Sequence, residues 1–183
     1  MSTTFPRVRT SEQGYNVEQV EEFLQDARTA YTAAPGTPGV ITAASIRTTA
    51  FAMQKGGYAT KHVDAALERL EDAFAARERE RALAEAGDGA WFASARSTAQ
   101  EILNRLSRPA GQRFDRTGIF TNGYDTKSVD AFADKLIDYF QNGKPLSVDQ
   151  VRSVAFKARK RGYSEAQVDL VLDSVIDVML AVR

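Results

Sequence analysis

A single histidine, His62, and no cysteine occur among the 183 residues. Without cysteine there is no thiolate nucleophile, no disulfide framework and no thiolate metal site. His62 stands near the start of a predicted helix with Asp64 two positions on. A zinc pair or a histidine proton relay needs a second imidazole, and the chain has none. The many carboxylates recur at helix-surface spacing with no nucleophile beside them, and no glycine loop suited to cradling phosphate occurs. The chain is therefore expected to have no catalytic residue, metal ligand, cofactor or small-molecule substrate.

The residues left to consider make contacts instead of reactions. Lys157-Ala158-Arg159-Lys160-Arg161 is a basic run that could meet anionic lipid or nucleic acid. It is predicted to close a helix, where cations complement the macrodipole. Phe120, Lys160 and Arg161 are the candidates for weak contact with an anionic membrane. Trp91-Phe92 places two large aromatics side by side on a predicted helix, where they point in different directions. Trp91 is thus a candidate partner contact. Arg77 to Arg81, alternating Arg and Glu, reads as a solvated helix face. The 24 basic and 24 acidic side chains cancel, whereas dedicated nucleic-acid binders carry a basic excess. A helix-turn-helix binder fits predicted helical hairpins geometrically, but nucleic acid is not expected as a partner.

The elements that must position these residues are legible from an internal repeat. Gly-Tyr, followed six residues after the Gly by Val and an acidic residue, occurs four times. The instances are Gly14-Tyr15 with Val20-Glu21, Gly57-Tyr58 with Val63-Asp64, Gly123-Tyr124 with Val129-Asp130, and Gly162-Tyr163 with Val168-Asp169. Ten residues after each Gly stand Leu24, Leu67, Ala133 and Leu172. Thirteen after stand Ala27, Leu70, Leu136 and Val175, and seventeen after stand Tyr31, Phe74, Phe140 and Met179. These offsets line one face of an α-helix. Each Gly-Tyr is read as a structural turn motif opening a helix whose apolar stripe needs a cover.

The four repeats are of two kinds. Before Gly57 lie Ile46-Arg47 and Phe51; before Gly162 lie Val151-Arg152 and Phe156. These two long repeats are predicted as helical hairpins, with the turn glycine at positive φ ending the first helix. The short repeats instead share a Phe nine residues before the Gly, Phe5 and Phe114, in lead-ins that read as extended or irregular.

Helices are predicted near 17–33, 42–55, 60–86, 90–107, 126–141, 147–160 and 164–182, with Thr42, Thr60, Ser147 and Ser164 as hydroxyl caps. Pro and Gly at 35–39 and Gly143 with Pro145 mark loops, and Gly87-Asp88-Gly89 interrupts a long helical stretch. No strand pair is evident. The expected fold is all-α, built of tandem helical-hairpin repeats in two small three-helix units joined by an extra helix. Residues 1–86 and 112–183 form the repeat pairs and 87–111 a helical insert. In each pair the first and third helices run parallel. No segment approaches the ~20 consecutive apolar residues of a membrane span, and no signal peptide is evident, so a cytoplasmic protein is expected.

Val151-Arg152-Ser-Val-Ala-Phe156 through Arg161-Gly162-Tyr163 to Val168-Asp169 resembles the DivIVA domain, as does Ile46-Arg47 through Gly57-Tyr58 to Val63-Asp64. The chain is similar to actinobacterial proteins that carry repeated DivIVA-like units without a long coiled-coil tail. The resemblance implies a non-enzymatic scaffold or adaptor of bacterial cell division or polar growth, placed at the septum or cell pole. Its partners would be division or envelope proteins, or a second copy. It also implies a membrane-binding loop with an apolar residue and an arginine just before Gly-Tyr. Arg161 matches that arginine, and Phe120 stands one position early for the apolar residue.

Overall fold

The computed structural model describes residues 5–33 and 41–182 and is mostly helical. The all-α class follows, with two minimal strand pairs added. The chain divides into two compact units, Met1–Glu85 and Ala86–Arg183.

In the first unit β1 (Gln13–Tyr15) leads into α1 (Val17–Thr32), and the short α2 (Ala43–Arg47) leads through β2 (Met53–Lys55) into α3 (Thr60–Leu106). A non-helical Gly87, with φ 77° and ψ 161°, interrupts α3 within the predicted Gly87-Asp88-Gly89 break. Residues after that break, expected as a separate insert, fall within the second unit. There, β3 (Asn122–Tyr124) enters α4 (Thr126–Asn142), and α5 (Val148–Arg152) leads through β4 (Ala158–Lys160) into α6 (Glu165–Ala181).

The helix starts are chemically specified. Asn16 and Asp125 accept from the N–H groups of Gln19 and Ser128, satisfying donors that a first turn leaves free. Thr42 and Ser147 form reciprocal capping boxes with Ser45 and Gln150. Ser164 caps α6 by position, with no side-chain bond. Thr60 is already helical, so it is no cap.

The middle helices are five residues each, not the predicted 42–55 and 147–160. The hydroxyls of Thr48 and Thr49 bond back to the carbonyls of Ala44 and Ser45, and Ser153 does the same to Asp149. The backbone beyond them turns extended and pairs with the other repeat of its unit. β1 runs antiparallel to β2 with Gly14 opposite Gln54; β3 runs antiparallel to β4 with Gly123 opposite Arg159. These pairs overturn the expectation of no strands, because strand pairing is set by the partner more than by local propensity.

The stripe register packs inward except at Tyr31, which is 41% exposed. Val20, Ala27, Val63 and Phe74 are buried in the first unit, and Val129, Ala133, Leu136, Val168, Val175 and Met179 in the second. Each fully buried Val or Leu contributes about 1.5–3 kcal/mol. Tyr31 and Phe74, both seventeen residues past their glycines, meet edge-on with centroids 5.3 Å apart. With Gly14 against Gly57 at the other end, α1 and α3 run parallel and in register. Beneath them lies a buried ion pair, Arg47 to Glu71 at 2.8 Å.

Candidate functional site

Each unit is closed by a seam in which its two Gly-Tyr dipeptides face each other. The Tyr15 N–H donates to the Tyr58 carbonyl and the Tyr58 N–H to the Tyr15 carbonyl, both at 2.9 Å. Tyr124 and Tyr163 exchange the same pair of bonds at 3.0 and 2.8 Å. Four of the glycines are required here by close approach. A Cβ on Gly14 or Gly57 would lie 2.4 or 2.3 Å from the Tyr58 or Tyr15 carbonyl oxygen. On Gly123 or Gly162 it would lie 2.2 or 2.4 Å from that of Tyr163 or Tyr124.

The positive φ expected at Gly57 and Gly162 is one residue earlier, at Gly56 (67°) and Arg161 (56°). The Gly-Tyr motif is therefore a pairing element, and the turn precedes it.

The acidic residue of the motif answers the tyrosine of the opposite repeat. Tyr58 donates its hydroxyl to Glu21 Oε1 at 2.5 Å, and Tyr163 to Asp130 Oδ1 at 3.0 Å. In the other direction Asp64 is the carboxylate that acts on Tyr15, and Tyr124 reaches Asp169 Oδ2 at 3.5 Å. Burial above all, with the carboxylate partner adding to it, raises the pKa of Tyr15 and Tyr124. Burial also raises that of Tyr163, opposed by the Arg113 N–H and reinforced by Asp130. Burial likewise raises the Asp169 carboxyl, against the pull of the Tyr124 hydroxyl. No single repeat can complete these bonds by itself. Recurrence of an acid at one offset from every Gly-Tyr was the signal in the sequence; its partner was not.

The second seam carries an addition. Arg113, 7% exposed, donates to the Asp130 carbonyl at 2.7 Å and to Asp134 at 2.5 Å, and its N–H meets the Tyr163 hydroxyl. Nothing in the sequence singled out Arg113.

At the tip of the second unit the candidate contact residues come together. The Arg161 N–H bonds the Thr121 carbonyl at 3.4 Å, setting the turn after β4 beside the turn before β3. Phe120 is 87% exposed and Ile119 55% exposed, and Lys160 and Arg161 at the adjoining turn are exposed as well. Arg159 is held by Asp125, whose carboxyl is lowered below its ordinary range first by that bond. The basic run thus lies on β4 and its turn, not at the helix end predicted, because the second part of that helix is extended. The equivalent tip of the first unit has Thr10, Ser11 and Gly56 in place of Ile119, Phe120 and Arg161.

Trp91 is spoken for within the second unit: its indole N–H donates to the Ala181 carbonyl at 3.0 Å. Phe92 lines a groove of about 470 Å³ with Tyr139, Phe140, Val178 and Val182. Arg77 and Arg81, expected to face solvent, both donate to the Ala33 carbonyl, and Arg77 also covers the Tyr31 ring at 4.7 Å. His62 is exposed in the first turn of α3. Among the described residues no cluster of three or more His, Asp or Glu is placed to hold a metal ion, and no helix is long and apolar enough to cross a membrane. No protein-family profile, curated protein or solved structure matches the chain.

Proposed function

We propose that this protein is a non-enzymatic scaffold or adaptor of the DivIVA type, acting by helix-mediated protein–protein contact in bacterial cell division or polar growth. The observation that carries the reading is the reciprocal Tyr–carboxylate seam. Through it one chain supplies both members of the parallel pair α1 and α3, so a paired-helix module needs no second copy. Such a module offers surface grooves, such as the one lined by Phe92, Tyr139 and Val182, to helical partners. Solution mass at micromolar concentration tests the assembly: a monomer is expected, and an obligate dimer through α1 and α3 would refute it. Imaging a fluorescent fusion in the native cell tests the role, with enrichment at the septum or pole expected and uniform signal counting against it.

A second reading, contact with an anionic membrane surface, is favoured by one specific feature. Arg161 occupies a left-handed backbone position where the first unit has Gly56. A large side chain kept at a strained conformation is a common mark of function, and this one adjoins the protruding Phe120. Co-sedimentation with vesicles of anionic lipid is expected to weaken on Lys160→Ala/Arg161→Ala and on Phe120→Ser; unchanged binding would end this reading.

A further inference from the structure

Both long repeats hold an extended arm in the same way. In the first unit the arm is Phe5–Val8. Its Val8 N–H donates to the Gly57 carbonyl at 2.9 Å, and the Ala59 N–H donates to the Pro6 carbonyl at 2.9 Å. Phe5 packs edge-on against Tyr58 at 5.4 Å, and the Arg7 guanidinium lies 5.9 Å from that ring's centroid. In the second unit Thr117 bonds Gly162 and Ser164 bonds Asp115, both at 2.8 Å. Phe114 meets Tyr163 at 5.3 Å with Arg116 again 5.9 Å from the ring centroid.

The contacts define what is read. The first residue is an aromatic anchor and the third a cation on the buried Tyr ring. Toward the edge the second gives its carbonyl and the fourth its N–H, as in strand addition to a sheet edge, and in the second unit the Thr117 hydroxyl adds a bond to the Gly162 carbonyl. Proline and aspartate both serve at the second place, where no backbone N–H is demanded by the edge.

The two arms differ in how they are held. Arg116 also bonds the Gly111 and Arg161 carbonyls, Asp115 takes Gln167, and the neighbouring Arg113 is buried among its partners. Among the described residues the first arm has no equivalent of these bonds, Phe5 is only half-buried, and Arg7 is exposed.

We propose that the Gly57–Ala59 edge is a peptide-docking edge for an extended Phe-x-Arg-x segment, occupied here by the chain's own Phe5–Val8 and able to take the same segment from a partner protein in its place. Docking in trans releases the arm, so the partner's occupancy is limited by the arm's effective concentration.

A dye-labelled peptide spanning residues 2–10 tests this by fluorescence anisotropy against the full chain. The Phe5→Ala/Arg7→Ala chain, whose arm has lost both anchors, is expected to bind the peptide. The unaltered chain should bind it roughly tenfold more weakly, because a tethered arm competes at about millimolar effective concentration. Val8→Pro in the peptide should weaken binding by about tenfold or more, and Pro6→Ala should not. A folded double variant that ignores the peptide, equal affinity for both chains, or indifference to Val8→Pro would each overturn the proposal. If circular dichroism shows the double variant unfolded, the unaltered chain decides. A peptide carrying benzoylphenylalanine in place of Phe5 must photo-cross-link around Tyr58, and cross-links absent or elsewhere overturn it.

Discussion

Tyr58 and Glu21, 37 positions apart, are joined by a 2.5 Å hydrogen bond from the phenol to the carboxylate, and the Tyr58 ring is wholly buried. The bond ties the start of α3 to the start of α1. Its removal by Tyr58→Phe is expected to cost about 1.5–3 kcal/mol, the usual worth of a bond to a charged acceptor. Glu21→Gln weakens the same bond, so the double variant should fall short of the sum by about 1 kcal/mol. Denaturant unfolding of the four chains measures this, and strict additivity would show that the bond contributes nothing.

The glycines of the seam are expected to tolerate no side chain. Gly57→Ala or Gly162→Ala sets a methyl against a carbonyl oxygen that cannot retreat without breaking the paired bonds, at a cost of about 2–4 kcal/mol. Gly89→Ala is the control: nothing lies within 4 Å of its Cβ position, and alanine favours helix by about 0.5–1 kcal/mol. Thermal melts should move in opposite directions for the two kinds of substitution.

Alkali should open the seams. Tyr15, Tyr124 and Tyr163 have folded pKa values above the ordinary 10.0, chiefly through burial. Below pH 10 both folded and unfolded chains keep these protons and stability is intact. Above it the unfolded chain ionises first, so stability falls as pH climbs from 10 towards the raised values. Late tyrosinate absorbance should therefore appear together with loss of helical circular dichroism. Ionisation of all six tyrosines near pH 10 with helix retained would contradict this.

Arg161→Gly separates stability from contact. Glycine removes the strain of φ 56° and should raise stability by about 0.5–1 kcal/mol. It also deletes a cation beside Phe120, so binding to anionic vesicles should fall while the melting temperature rises. A parallel fall in both would indicate that the side chain is structural.

The local patterns in the chain determined much. The apolar offsets after each Gly-Tyr placed α1, α4 and α6 within a residue or two and named the buried stripe, because helical periodicity is a local property. Lack of cysteine and of a second histidine left contact as the expected mode of action. What only the tertiary structure decided was which motif meets which. The bonds from Tyr58 to Glu21 and from Tyr163 to Asp130 span 37 and 33 positions, and no local window contains both ends. The same pairing cut the middle helices to five residues. Apolar spacing after Arg47 and Arg152 suits a helix, but there the backbone finds hydrogen-bond partners in β1 and β3 and takes the extended form that reaches them.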